Sequence, residues 1–247
     1  MQQSFIKYCP PPEAIARYAD SFWMLSNTST EPQDLVILPD GNIDIILSTS
    51  PFRMILTGLS TAPDKVSFAA RNTLLAISFR LPAAEILLHR SIAPLLNSAT
   101  SLPDNFWEFT EDDTRSFDRF CNKATSILLQ KIPAVFDNRK QLLFDSLYTE
   151  PLIPTIKELS ARCFWSSRQI NRYFQEWFGL SLKTYRGIQR FRNTFRPISE
   201  GKFFPEEYFY DQPHFIREVR KLSGVSPREL FRNENDRFIQ FSALKAK

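Results

Sequence analysis

The sequence predicts an α+β protein, with a small β-barrel and a few helices in the N-terminal half and an all-α C-terminal half. Two patterns in the apolar residues support this prediction. Short apolar runs separated by turn residues fill the first hundred residues, whereas from about residue 111 the apolar residues recur at helical spacing. The balance of charge also changes between the halves, from acidic to basic. We therefore expect two domains with different tasks.

The predicted strands of the N-terminal half are short. Two apolar runs, 35–38 and 43–47, flank the segment Pro39-Asp40-Gly41-Asn42, which is typical of a turn between strands. Further strands are expected at 53–57, 65–69 and 74–81. Several short strands at this spacing predict a barrel or a sandwich, and a short helix is predicted to follow over 83–89.

A longer amphipathic helix is predicted over residues 111–132, and Pro133 ends it. This helix either packs on its own barrel or forms the interface of a homodimer, and both can hold for different parts of it. We place the domain boundary directly after it, with one domain at 1–133 and a second, helical domain at 134–247. A helix over 138–148 is expected to open the second domain.

The composition is that of a globular protein, 43% hydrophobic and 23% charged. Residues 1–150 carry 13 Lys and Arg against 17 Asp and Glu, whereas residues 151–247 carry 18 against 10. A basic domain joined to a mildly acidic one favours a polyanion binder with a control module, although such asymmetry is common. No apolar run reaches the ~18 residues of a membrane span, no signal peptide is evident, and three distant cysteines favour neither disulfides nor zinc. A cytoplasmic protein is expected.

The clearest motif lies in the basic half. A short amphipathic helix over 156–163 is followed by a tight turn and by a second helix over 166–178 that ends at Gly179. Ser166 is a suitable N-cap for the second helix. Helix, tight turn, helix is the plan of a helix-turn-helix, in which the second helix enters the major groove of DNA. Its exposed face carries three side chains that can read guanine and adenine: Arg168, Asn171 and Arg172.

A polar face of this kind can also be the solvated side of a surface helix. Here the face lies at the start of the second helix of a helix-turn-helix, inside a basic domain, which favours DNA. Downstream, Gly179-Leu180-Ser181 leads into a long helix, and Gly224-Val225-Ser226-Pro227 follows a later helix in the same way. This recurrence indicates two related units. The long helix carries arginines that can neutralise backbone phosphates: Arg186, Arg190, Arg192 and Arg196.

Residues of about 138–232 resemble the DNA-binding domain of the AraC/XylS family of bacterial regulators. The resemblance rests on two separate motifs in the family's order and near its spacing. The first is Ser167-Arg168-Gln169-Ile170-Asn171-Arg172-Tyr173-Phe174 with Gly179-Leu180-Ser181, and the second is Phe209-Tyr210-Asp211-Gln212-Pro213-His214-Phe215 with Gly224-Val225-Ser226-Pro227. In the N-terminal half, residues 38–44 and 77–80 resemble the cupin-like barrel domains that bind effectors or dimerise in some members.

The resemblance implies two helix-turn-helix units joined by a long helix, each presenting one helix to the major groove. Asp211 would cap the second reading helix, whose Pro213 would face DNA, while His214 and Phe215 would pack inside. The expected base contacts are Arg168, Asn171, Arg172, Gln212 and Arg217. The expected phosphate contacts are Ser166, Ser167, Arg186, Arg190 and Lys221.

The second unit departs from the family's pattern. Between Gly201 and Phe209 the segment is too short for a full first helix, so this helix is a single turn starting near Pro205 or is missing. Pro213 also stands where a donor side chain would read a base. We therefore expect the first unit to dominate sequence recognition.

The predicted function is that of a sequence-specific transcription regulator, an activator, that reads double-stranded DNA mainly with the helix over 166–178. The alternative is a regulator that acts mainly through protein partners or dimerisation, with weak DNA binding because its second unit is truncated. RNA polymerase and a second copy of the chain are further expected partners. If the N-terminal domain senses a small-molecule effector rather than only dimerising, the barrel interior would bind it. Its expected lining is Phe22, Trp23, Ile45, Phe52, Phe68 and Phe79.

Catalysis is not expected. The two histidines, His89 and His214, lie in different halves, which is fewer than a metal centre normally uses. No GxSxG, P-loop or GxGxxG motif is present. Asp40 and Asp44 flank a turn and are interpreted as turn formers. No cofactor and no metal ion are predicted.

Overall fold

The computed structural model describes residues 4–133, 136–149, 154–204 and 209–245. An N-terminal antiparallel β-domain is followed by a helical region, which confirms the α+β prediction. The strands are β1 (Ser4–Cys9), β2 (Ala19–Asn27), β3 (Gln33–Ile37), β4 (Ile43–Thr49), β5 (Phe52–Thr57), β6 (Asp64–Phe68), β7 (Asn72–Phe79) and β8 (Ala99–Leu102).

The strands form two sheets that face each other across a cavity. The larger sheet has the order β1-β2-β7-β4-β5-β8, and the smaller one pairs β3 with β6. Among the described residues β1 and β8 stay at the edges of the larger sheet, so the expected barrel is open. One face of this sheet carries the main hydrophobic core and the other faces the cavity, because successive side chains point to opposite sides of a strand.

The helices are α1 (Pro82–Ile86), α2 (Phe117–Lys131), α3 (Asn138–Thr149), α4 (Ile156–Cys163), α5 (Ser167–Phe178), α6 (Leu182–Asn193), α7 (Phe195–Ser199), α8 (Gln212–Ser223), α9 (Pro227–Arg232) and α10 (Ile239–Lys245). The helix predicted over 111–132 is divided: a 3-10 turn, Glu111–Thr114, precedes α2, which begins where the Ser116 hydroxyl accepts the Arg119 amide. The single turn expected near Pro205 lies outside the described residues.

The apolar face of α2 packs on its own domain. Phe120 is fully buried, with its ring 6.4 Å from that of Phe22 and 5.6 Å from that of Phe109. Leu129 is the large apolar side chain of this helix that stays half exposed. The packing alternative for this helix is therefore realised over most of its length, and dimerisation through it stays a prediction.

The two halves share one continuous hydrophobic core, so the predicted boundary at 133 does not separate two cores. The chain returns at its C-terminal end to the β-domain. The Val36 amide donates to the Arg237 carbonyl (2.7 Å), and the Gln240 amide pairs with both backbone groups of Leu38 at 3.1 and 2.9 Å. The helix α10 thereby covers one side of the cavity.

Candidate DNA interface and ligand cavity

The first helix-turn-helix unit consists of α4, a three-residue turn and α5. Thr155 and Glu158 form a capping box at the start of α4, and Ser166 and Gln169 form one at the start of α5. Such boxes satisfy backbone N–H groups that a helix leaves without partners. The turn requires a left-handed residue, and Phe164 takes this conformation with φ 55°. The expected N-cap and the expected end at Gly179 (φ 76°) are both observed.

The three predicted base readers lie on the outer face of α5, and their side chains differ in exposure and in the hydrogen bonds they already make. Arg168 is exposed. Arg172 is also exposed and lies 3.7 Å from Glu176 one turn further along. Asn171 is half-buried, and its amide nitrogen donates to the Ser167 carbonyl (3.0 Å). Asn171 would have to leave this bond to read a base, whereas the two arginines project into solvent.

The predicted phosphate contacts at the start of α5 are engaged in the cap. The Ser166 hydroxyl donates to Gln169 Oε1 (2.9 Å) and accepts the Gln169 amide (3.2 Å). The Ser166 amide donates to the same Gln169 oxygen at 2.9 Å. Ser167 is half-buried. A phosphate at this point would have to compete with the cap for the Ser166 groups.

Arg186 and Arg190 lie one turn apart on α6. Burial lowers the pKa of Arg186 and the nearby Arg190 lowers it further, while Glu158 acts in the opposite direction. Arg190 also stacks over the Phe209 ring at 5.6 Å. Two adjacent cations at the junction of the two units suit a phosphate backbone.

Arg192 was expected among the phosphate-binding arginines, and the structure contradicts this. Its guanidinium is half-buried and forms an ion pair with Asp20 of β2, and it donates to Asn42 Oδ1 (3.3 Å). Burial alone would lower the pKa of Arg192, but Asp20 and Asp40 raise it well above its usual value. The helical spacing that places Arg192 with Arg186 and Arg190 does not reveal that the β-domain covers this end of α6. Arg196 remains exposed and pairs with Glu200 (3.0 Å).

The second predicted reading helix, α8, starts at Asp211, whose carboxylate accepts the His214 amide (2.6 Å). Phe215 is fully buried, and His214 and Phe215 both pack against the ring of Phe209, at 5.5 and 5.2 Å. The predicted DNA-facing side chains of this helix are all exposed: Gln212, Pro213, Arg217 and Lys221. The sequence analysis did not single out Tyr210, which is 96% exposed directly before the cap and would stand beside this surface.

The C-terminal end of α5 is attached to the β-domain. The Ile92 amide donates to the Trp177 carbonyl (2.9 Å), and the Ser91 hydroxyl donates to the Glu176 carbonyl (2.6 Å). These bonds satisfy carbonyls that the last turn of a helix leaves without partners. One turn closer to the start of α5, the Tyr173 hydroxyl donates to Glu85 of α1 (2.8 Å).

A second set of contacts joins α6 to the β-domain through buried tyrosines. The Tyr185 and Tyr148 hydroxyls are 2.7 Å apart, and Gln189 donates to the Tyr185 hydroxyl (2.7 Å). The Leu81 amide donates to the Tyr148 hydroxyl (3.0 Å). Burial raises the pKa of Tyr148 to about 12, so the hydroxyl stays neutral. The orientation of α6 is therefore fixed by the domain that holds the cavity.

The cavity between the two sheets has a volume of about 740 Å³, within the range of small-molecule sites. Of the six predicted lining residues, Trp23 and Phe68 line it. Phe22, Ile45 and Phe79 are buried in the core on the opposite face of the larger sheet, and Phe52 packs against that core. The apolar wall consists instead of side chains one position away or on other strands: Ile6, Leu35, Ile46, Ile55, Val66 and Leu74.

One end of the cavity is acidic, which the sequence analysis missed. Asp40 does form the expected turn, since it accepts the Asn42 amide (3.0 Å). Asp44, however, belongs to β4, faces the cavity and accepts the Ser78 hydroxyl, which in turn accepts the Trp23 indole N–H (3.0 Å). Both carboxylates therefore line the cavity next to Asp20.

The pKa values of these carboxyls differ because their cations differ. Burial would raise the pKa of Asp20, but Arg192 and Arg80 outweigh it and hold the pKa below its usual value. Burial raises the pKa of Asp44 to about 7, and the neighbouring Asp40 adds to this effect. Burial also raises the pKa of Asp40, although Arg192 opposes it. Asp20 is thus a compensated anion, Asp40 is compensated in part by Arg192, and the groups that lower the pKa of Asp44 are the neutral Ser78 and Trp23.

Within the described residues, no helix is long and apolar enough to cross a membrane. In the same part of the chain, His, Cys, Asp and Glu form no group of three that could hold a metal ion.

Part of the N-terminal half matches a known family model. Residues 7–101 match a family model described as a domain of unknown function, DUF6597. No curated protein matches the sequence.

Among solved structures, the chain is similar to ToxT from Vibrio cholerae O395, with a TM-score of 0.41 and 11% identity over 94% of this chain and 98% of that one. It is similar to ToxT bound to (E)-4-(8-methylnaphthalen-1-yl)but-3-enoic acid, with a TM-score of 0.41 and 13% identity over 93% and 98% of the two chains. It is also similar to wild-type ToxT from Vibrio cholerae strain SCE256 bound to unsaturated fatty acid, with a TM-score of 0.39 and 11% identity over 93% of this chain and 94% of that one. Similarity this low transfers neither residue roles nor ligands to this chain.

Proposed function

We propose that the chain is a sequence-specific DNA-binding transcription regulator of the AraC type that reads the major groove mainly with α5. The observation that carries this proposal is the complete first unit, in which two capped helices meet at a tight turn and Arg168 and Arg172 project from the outer helix. Arginine in this position can bind guanine O6 and N7 with two hydrogen bonds. The motifs shared with the AraC/XylS family agree with this geometry.

The basic surface around this helix supports the same proposal. Arg186 and Arg190 are adjacent on α6, which links α5 to α8, and α8 carries a second exposed basic face with Arg217 and Lys221. Cations arranged beside a reading helix bind phosphates and set the register of the protein on the duplex.

The cavity supports a second part of the proposal, that a small molecule controls DNA reading. Arg192 projects from α6 into the cavity wall and pairs there with Asp20. A molecule in the cavity would therefore change the contacts that fix the helix shared by both units. A ligand shifts an equilibrium only by its different affinity for two states, and this ion pair is where such a difference would arise.

Selection of bound sequences from a random double-stranded DNA pool, with the full chain as bait, tests the proposal. We expect one dominant enriched half-site, specific binding that weakens steeply with added salt, and loss of the enrichment in the double variant Arg168→Ala, Arg172→Ala. The matched control is Arg115→Ala, Arg119→Ala, which removes two exposed arginines from the β-domain. Binding that shows no sequence preference, in a chain that still self-associates, would favour the alternative regulator that acts through protein partners.

A further inference from the structure

The acidic end of the cavity has more carboxylates than cations. Asp20, Asp40 and Asp44 line it; Asp20 raises the pKa of Asp40, and both raise that of Asp44. Two guanidinium groups are close enough to compensate them: Arg192 forms an ion pair with Asp20 and also acts on Asp40, and Arg80 lies 3.6 Å from Asp20. One carboxylate charge of the group therefore has no cation beside it.

The remaining charged groups of the lining do not correct this imbalance. Arg53 and Asp64 are exposed to solvent, and Arg196 is exposed and paired with Glu200. Solvent screens these groups strongly, whereas the carboxylates at the inner end are removed from bulk water. An uncompensated charge at such a place is costly unless it is neutralised by a proton or by a bound cation.

The rest of the cavity is apolar. Trp23, Ile46, Ile55, Phe68 and Leu74 supply its walls from both sheets, and α10 adds Ile239 and Leu244. A ligand that fills this space must therefore carry an extended apolar body. Only one kind of head group would satisfy the acidic end as well, namely a cation that can also donate hydrogen bonds to carboxylate oxygens.

We propose that the cavity binds an amphipathic amine, with its protonated nitrogen between Asp40 and Asp44 and its apolar body between the two sheets. This inference rests on the proposed role of the cavity as the effector site and names the chemical class of the effector. A fatty acid or another anionic amphiphile would place its carboxylate against carboxylates at this end and should bind more weakly. The apolar part contributes by leaving water, and the head group provides selectivity.

Calorimetric titration of the full chain at pH 7 with n-decylamine, n-decanol and decanoate tests the inference, because the three probes share one apolar chain and differ in head group. We expect decylamine to bind once per chain and at least ten-fold more tightly than decanol, and decanoate to bind most weakly. Tighter or equal binding of decanoate, or no binding of any probe, would overturn the inference.

Two isosteric variants locate the head group. Asp40→Asn and Asp44→Asn should each weaken decylamine binding about ten-fold while decanol binding stays unchanged, and the exposed Asp104→Asn should change neither. Decylamine binding that is insensitive to both inner substitutions would contradict the assigned position. The comparison of head groups on the unsubstituted chain remains decisive if either variant folds poorly.

A separate measurement distinguishes this inference from the proposed function. The affinity of the chain for its selected DNA is measured with and without saturating decylamine. If the three probes bind in the expected order and DNA affinity does not change, the ligand class is supported and the regulatory role of the cavity is contradicted. If the chain selects no DNA at all, the calorimetric order still decides the ligand class.

Discussion

The two helices predicted to read DNA, α5 and α8, begin and end alike but are held differently. Each begins at a capping side chain, Ser166 or Asp211, and each ends at a glycine with φ near +75°. Hydrogen bonds from Ser91 and Ile92 hold the end of α5 to the β-domain, whereas α8 packs against α6 and α9 and approaches the β-domain through Gly224 beside Pro63. The first reading helix is thus oriented directly by the domain with the cavity, and the second is oriented mostly through α6.

The unit that the sequence predicts to dominate DNA reading is therefore also the one held more directly to the β-domain. Preorganised side chains lose less entropy on binding than mobile ones, so a fixed α5 should contribute more affinity than α8. Four substitutions, each with a control, test this comparison.

The largest effect is expected for Arg192→Met, on the helix that both units share. This change leaves Asp20 buried without its main cation, which typically costs about 3–5 kcal/mol of unfolding free energy. Chemical denaturation measures the loss, and the exposed Arg196→Met should cost less than about 0.5 kcal/mol. Because Arg192 holds the pKa of Asp20 low, the difference from the unsubstituted chain should persist above pH ~4, the unfolded pKa, and shrink as the pH falls below it.

The next effect concerns recognition. Arg172→Ala should weaken binding to the selected DNA by about 1–3 kcal/mol, since it removes a candidate guanine contact from the fixed helix. Arg217→Ala, its counterpart on α8, should weaken binding less. Fluorescence anisotropy titrations at one salt concentration make the comparison. Equal losses, or a larger loss for Arg217, would show that α8 reads DNA as well as α5 does.

The glycines that end the two helices provide a matched pair for stability. Both have positive φ, so Gly179→Ala and Gly224→Ala should each cost about 1–2 kcal/mol from backbone strain. A methyl group at 179 would also lie 2.9 Å from the Ala93 carbonyl oxygen, whereas at 224 the nearest atom is Pro63 Cγ at 3.7 Å. Urea denaturation should therefore show the larger loss for Gly179→Ala. Equal losses would mean that the β-domain moves away from α5 at little cost.

The smallest effect is a gain. Phe164 is 81% exposed and holds φ 55° in the turn of the first unit, so Phe164→Gly relieves strain and removes little packing. We expect a stabilisation of about 0.5 kcal/mol, because the greater freedom of glycine in the unfolded chain offsets part of the gain. Phe164→Ala keeps the strain and serves as the control. A large loss of stability in both variants would show that the exposed ring packs in solution, and a loss in the glycine variant alone would show that the freedom of glycine in the unfolded chain outweighs the strain.

The local parts of the fold could be predicted from the sequence. α5 has every signal of a helix within its own fourteen residues, from the Ser166 cap to Gly179, and the structure reproduces them. The same holds for Asp211 and Gly224 around α8. The base-reading roles of these helices stay predictions, although the exposure of Arg168 and Arg172 is consistent with them.

The nonlocal parts could not be predicted. β1 and β2 were both missed. β2 is buried on both faces and includes Ser21, Ser26 and Asn27, so it lacks the alternation that identifies a half-exposed strand. The phase of each strand was also undetermined: Phe22 and Trp23 are neighbours, and only the second can face the cavity. Arg192 shows the same limit, since a partner 172 positions earlier in the chain decides its role.

The return of α10 to the β-domain has a practical consequence for dissecting this protein. A fragment that begins at residue 134 would keep Phe238 and Phe241, which are buried, and Ile239, which lines the cavity, but would lose the sheets that they cover. A fragment that ends at 133 would lack one wall of its cavity and would expose β3 along the edge that now bonds to Arg237. Both fragments would expose apolar side chains or an unpaired strand edge that the intact molecule covers, and such surfaces promote aggregation. Experiments that assign ligand binding to one piece and DNA binding to the other would therefore measure damaged proteins, and single-residue changes in the intact polypeptide are the sounder tool.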